Sequence, residues 1–120
     1  MPDPSRASPV RGLSEALATF WLMGFFAVRL RHGPSWDDSR GVREQDAWPQ
    51  HAAFMDGLVS DGFIYMGGPL GDGGGDGALH IVEAVAEEDI RHRLSADPWV
   101  PRRLLEIDWV ASWSVWLDGR

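Results

Sequence analysis

Proton transfer near neutral pH in this chain of 120 residues falls first to four histidines and eighteen carboxylates, because there is no cysteine and all eleven basic residues are arginines. Without cysteine there is no disulfide, thiolate nucleophile, zinc ribbon or iron–sulfur ligation. Without lysine there is no Schiff-base chemistry and no Gly-Lys-Ser/Thr phosphate loop. His51 has the most suggestive setting. An imidazole titrates at about 6.5, and a carboxylate holding one ring nitrogen leaves the other free as acid or base. Yet His51 falls at helical spacing with Phe54, Met55, Leu58 and Val59, a stripe on which a histidine is ordinarily a satisfied core residue. Asp97 stands before Pro98, where an aspartate ordinarily serves a turn.

Other residues carry weaker signals. Arg29 and Arg31 share one face of a strand and either pair with Glu106 and Asp108 or, for Arg29, meet a substrate carboxylate or enolate through a two-pronged guanidinium. Trp36, Trp48 and Trp99 either wall an apolar pocket for a ring-shaped ligand or serve core packing. His80 and Glu83 look like a metal pair, but three residues apart on a strand they face opposite ways. The loop Gly71 to Gly77, with Asp72 and Asp76, holds one copy of a calcium-type glycine pattern, which cannot stack and reads as a hairpin loop. Ser14 lacks the second glycine and the strand of a nucleophile elbow. No metal site and no cofactor are expected.

These residues are positioned by a short series of elements. Residues 1–20 read as a partly disordered extension with a possible helix over Leu13–Thr19, and residues 21–120 as one domain. Trp21 to Arg31 alternates as a first strand, with Leu22, Phe26, Val28 and Leu30 on one face and Met23, Phe25, Ala27, Arg29 and Arg31 on the other. A loop from His32 to Asp46 precedes a helix that starts at Asp46 to Pro49, with Asp46 as its expected cap, and stops before Gly62. Phe63 to Met66 and Ala78 to Val85 read as strands separated by glycine punctuation, and Glu87 to Ser95 as a helix. From Leu105 a long strand sets Leu105, Ile107, Trp109, Ala111, Trp113, Val115 and Leu117 against polar residues. The order βαββαβ predicts an α+β, ferredoxin-like fold, a four-stranded antiparallel sheet with both helices on one face.

The bare sheet face and seven tryptophans predict a homodimer packed sheet to sheet. A net charge of −7 argues against nucleic acid. The uncharged run Ala16 to Val28 is too short for a span of about 20 residues, so no membrane association is expected, and the cysteine-free composition fits a cytoplasmic protein.

The run Gln45-Asp46-Ala47-Trp48-Pro49-Gln50-His51-Ala52-Ala53-Phe54-Met55, then Gly62, Gly67-Gly68-Pro69-Leu70 and Ala96-Asp97-Pro98-Trp99, in that order and spacing, resembles the YciI-like (YCII-related) family. Gly33 to Trp36 further resembles its bacterial branch with a Gly-Pro-x-Trp loop, and the likeness covers roughly residues 23 to 117. The resemblance implies a dimeric α+β barrel with a His/Asp-centred site, His51 matching the histidine and Asp97 the aspartate. It joins two residues that are individually unremarkable. On that reading the chain is a cofactor-free enzyme moving a proton, or eliminating a group, on a small carboxylate or lactone, open-chain or cyclic. His51 and Asp97 would be catalytic, and Arg29, Trp36, Trp48, Gly68, Pro69 and Trp99 would bind substrate. The alternative is a non-catalytic ligand-binding or accessory dimer.

Overall fold

A computed structural model describes residues 22–120. The extension expected over residues 1–20, the helix over Leu13–Thr19 and the strand start at Trp21 lie outside the described residues. Six main elements follow in order: β1 (Gly24–His32), α1 (Trp48–Ser60), β2 (Ile64–Pro69), β3 (Ala78–Ala84), α2 (Glu87–Leu94) and β4 (Leu105–Trp113). The strands form one antiparallel sheet in the order β2-β3-β1-β4, the ferredoxin-like α+β arrangement that the element order predicts. Each helix carries the chain past a central strand, α1 past β3 and α2 past β1. Inward residues of the strands (Val28, Leu30, Ile64, Val82, Ala84) and of both helices (Leu58, Ile90, Leu94) share one core cluster, so both helices cover the same face.

The start of α1 differs from expectation. Its N-cap is Ala47, in the left-handed region at φ 58°, and makes no side-chain cap bond, while Pro49 occupies the first turn. Asp46 instead ion-pairs with Arg40 at 3.4 Å. The preceding loop is held from within by Gln45, which is buried. Its Nε2 donates to the carbonyls of Asp37 (2.8 Å) and Arg40 (3.0 Å), and its Oε1 accepts from the Asp37 amide (3.1 Å). Farther along α1, His51 and Leu58 are buried whereas Val59 is exposed, so the apolar stripe is narrower than its spacing suggested.

Gly67, Gly68 and Pro69 belong to β2 rather than to a turn. β2 is an edge strand, where a missing proline N–H leaves no ladder bond broken. On the other edge, β4 pairs with β1 through a bulge: Arg29 lies opposite Trp109 and Leu30 opposite Ile107, leaving Asp108 as an extra residue. An extra residue reverses the alternation beyond it. Leu105 and Ile107 face the core, as does Val110, but Trp109 and Trp113 turn to the opposite face and are exposed. The unbroken alternation expected from Leu105 to Leu117 therefore fails at Asp108, and the strand ends at Trp113.

Candidate active site

His51 and Asp97 are brought together by separate elements. His51 occupies the fourth position of α1, and Asp97 lies just beyond α2, its amide closing a turn onto the Leu94 carbonyl at 3.1 Å. The Asp97 carboxylate brackets His51 Nδ1, with Oδ1 at 2.9 Å and Oδ2 at 2.8 Å. A carboxylate can only accept, so Nδ1 carries a proton, and in the neutral ring Nε2 is the nitrogen with the lone pair. Asp97 Oδ1 also accepts the Trp99 amide at 2.9 Å, which fixes the carboxylate as the Asp-Pro-Trp turn forms. Residue exposures of 7% for His51 and 4% for Asp97 remove competing water, so the carboxylate's remaining partners hold the ring in one orientation.

The Trp99 indole completes the clamp. It lies parallel to the His51 imidazole, 3.8 Å between centroids with an interplanar angle of 3°, and its Nε1 donates to the Asp46 carbonyl at 2.6 Å. At 1% exposure, Trp99 is a core residue that also covers one face of His51. Core packing and pocket wall, alternatives in the sequence, are here one role.

A cavity of about 560 Å³ opens on this group, lined among others by Trp36, Trp48, His51, Gly68, Pro69 and Trp99. Asp97 is absent from the lining, standing behind the imidazole, so Nδ1 is engaged away from the cavity and Nε2 is the nitrogen left for a ligand. The wall is overwhelmingly apolar, with Val42, Met55 and Leu105 beside the indoles, which suits a flat ring. Gly33 sets the Gly-Pro-x-Trp loop in place. Its amide donates to the Leu104 carbonyl at 2.9 Å, and a Cβ there would overlap the Arg103 carbonyl.

Arg29 does not line this cavity. It lies on the opposite sheet face, where Nη2 donates to the Asp76 carbonyl at 2.9 Å and Nε approaches Asp108 at 3.9 Å. Arg31 pairs with Glu106 at 3.1 Å on the same face. The cross-strand pairing is thus what the structure holds, and the reason is the register: Glu106 lies opposite Arg31, and the bulged Asp108 adjoins Trp109, the residue opposite Arg29. The arginine in the cavity lining is Arg43, on the short turn Val42–Glu44.

Two further histidines line the cavity: His32, which the sequence did not single out, and His80, weighed there only as a metal partner of Glu83. His32 stacks on Trp36 at 3.7 Å and 8°, and burial lowers its pKa against the opposing pull of Asp38, the Gly74 backbone and Asp76. His80 is pushed down to about 4, first by burial and then by His51, with Asp97 opposing. Its inward position follows from the alternation Ala78, His80, Val82, Ala84, a signal obscured by weighing it only against Glu83. Among the described residues no group of three or more histidines and carboxylates gathers to hold a metal ion, and no helix is long and apolar enough to cross a membrane.

A ferredoxin-like α+β chain with a buried His–Asp pair at an apolar cavity is the class these observations define. No family model matches the sequence, and no curated protein matches it. Among solved structures it is similar to 5-chloro-2-hydroxyhydroquinone dehydrochlorinase from Burkholderia phenoliruptrix AC1100, in complex with 2,5-dihydroxybenzoquinone. The TM-score is 0.54 and the identity 25%, over 77% of this chain and 93% of that one.

Proposed function

We propose that this protein is a cofactor-free acid–base enzyme of the YciI-like type, acting on a small ring-shaped substrate by proton transfer or elimination. The observation that carries the reading is the Asp97 carboxylate bracketing His51 Nδ1 at 2.8–2.9 Å behind the cavity wall. It leaves Nε2 as a base aimed at the ligand space. The similar structure is an enzyme on an oxygenated ring, which supports the substrate shape.

In the proposed step Nε2 takes a proton from a hydroxyl or an acidic ring carbon, and the resulting imidazolium is stabilised by Asp97. For an elimination the C–H electron pair becomes the new double bond, and the leaving group departs as an anion with the electrons of its own bond. For an isomerisation the same imidazolium returns the proton to another ring carbon. Trp36, Trp48, Gly68, Pro69 and Trp99 would hold the ring, and Arg43 stands at the cavity for a developing or departing anion.

The test is a panel of chlorinated hydroquinones and lactones, followed by halide release and by product absorbance. Wild type is expected to turn over at least one of them, with activity abolished in His51→Ala and kcat lowered about 10²- to 10⁴-fold in Asp97→Asn, where ring orientation and tautomer are lost. Turnover that survives His51→Ala removes the histidine from the mechanism, and binding without turnover across the panel makes the protein an accessory ligand binder.

The working form is a cytoplasmic homodimer in this reading. On the sheet face away from the helices, Phe25 meets Tyr65 and Trp113 edge-on at centroid distances of 5.4 and 6.4 Å. Met66, Trp109 and Trp113 are exposed beside them, an apolar surface of the kind that a second sheet covers.

A further inference from the structure

The acid–base reading leaves the most deeply placed of the other cavity histidines without a task. His80 sits in β3 opposite Val28 of β1 and Gly67 of β2, on the face that carries the core. Its ring lies across Gly67, where any Cβ would overlap Nδ1 and the adjoining ring carbons. Nδ1 is sealed from solvent and has no hydrogen-bond partner. The ring nevertheless forms part of the cavity wall with His51, Trp48 and Pro69, so Nε2 is the nitrogen that can meet a ligand.

Chemistry then selects the tautomer. A proton on Nδ1 would be an orphaned buried donor, a rarer and costlier arrangement than an under-used acceptor. A proton on Nε2 faces the cavity, where water or a ligand oxygen accepts it. The opposite holds for His51, whose Nδ1 proton is bound to Asp97. The cavity is therefore walled by two imidazoles of opposite polarity, one offering a lone pair and one an N–H.

We propose that His80 is a substrate-contacting residue that donates its Nε2–H to a second oxygen of the ligand, so that the site takes a planar ring bearing at least two oxygen substituents. The proposal rests on the reading of His51 as the base. When a ring hydroxyl gives its proton to His51 Nε2, the charge left on that oxygen is shared with the second oxygen where the latter is a conjugated carbonyl of the ring. The His80 N–H stabilises that oxygen, and no proton leaves His80. A neutral donor suits this task, because it strengthens as charge develops without itself titrating. The low pKa from burial and from the neighbouring His51 keeps His80 uncharged near neutrality, with His51 on α1 and Asp97 beyond α2 the titratable groups that face it.

The inference is tested on the full chain labelled with 15N-histidine, with the four histidines assigned by single variants. Long-range 1H–15N correlations at pH 7 are expected to show His80 neutral and protonated at Nε2, and His51 protonated at Nδ1. A titration with 4-nitrocatechol, a chromophoric ring with two hydroxyls, is expected to shift the His80 Nε2 resonance and to move the visible band towards the phenolate. His80→Leu should weaken binding about tenfold, the worth of one hydrogen bond, and reduce the band shift. His80→Gln, with a carboxamide N–H in reach of the same oxygen, should restore part of both. His80 charged or protonated at Nδ1, or unchanged affinity and spectrum in His80→Leu, overturns the donor role. A wild type that binds no catechol overturns the ligand class. The His51 resonances report separately on the acid–base reading: a bare Nδ1 there would sink that reading, whereas the expected His51 signals beside a wrong His80 tautomer sink only this inference.

Discussion

Half-burying a histidine whose Nδ1 is sealed without a partner, as the fold does at His80, has a thermodynamic signature outside catalysis. An unfolded His80 binds a proton below about 6.5, but in the native protein its pKa is pushed down to about 4. Between those values the unfolded state binds more protons, so stability is complete above the upper value and falls as pH drops through the window. The difference of pKa corresponds to about 3 kcal/mol. Urea midpoints of wild type and His80→Gln, measured from pH 7.5 to 4, should diverge accordingly, the variant losing less on acidification. Parallel curves would mean that the His80 ring is not desolvated in the native state. Gly67→Ala should act on the same ring from below, displacing it and weakening any ligand that needs His80 while leaving the His51–Asp97 bond intact. At this scale the sequence was informative for His51 and Asp97, each a plausible residue that became a pair only through the resemblance. It was uninformative for His80, whose neighbour is a glycine on another strand; for Arg29 the local alternation gave the correct face, and of its two alternatives the cross-strand pairing is the one formed.

Elements, rather than residues, decide the shape of the cavity wall. The turn carrying Val42, Arg43 and Glu44 is held by one buried amide side chain, Gln45, bonded to three backbone groups of the Asp37–Arg40 stretch. Gln45→Ala would strand those groups, at a cost of about 1–3 kcal/mol. Faster amide hydrogen exchange confined to residues 37–45, together with a raised KM and little change in kcat, is the expected outcome. Unchanged exchange would show that the loop has other supports. Most elements were legible, because alternation and helical spacing are local properties: β1, β3 and α2 fall within a few residues of their expected limits. The misreadings share one cause, tertiary context overriding a local cue. Asp46 is a good cap by type, yet Ala47 holds the position because the chain must turn there to bring Trp48 onto the cavity. Gly67-Gly68-Pro69 is turn-like in composition, yet an edge strand tolerates it, and His80 needs the space above Gly67.

For the molecule as a whole, the face opposite the helices is the largest open question of packing, and the proposed dimer answers it. Trp113 lies within that face against Phe25 and does not line the His51 cavity. Trp113→Glu should therefore yield a monomer in light scattering at micromolar concentration while leaving the His51–Asp97 pair formed. A wild type that is already monomeric removes the dimer. The bulge at Asp108 gives this surface its history. Because Asp108 is the one supernumerary residue, an in-frame loss of that single codon would set Trp109 directly after Ile107, still opposite Arg29, so the ladder would close without a bulge and both indoles would keep the outer face. Deleting Asp108 should therefore yield soluble protein whose tryptophan emission still reports exposed indoles, and a deletion variant found in the insoluble fraction would show that the fold needs the bulge itself.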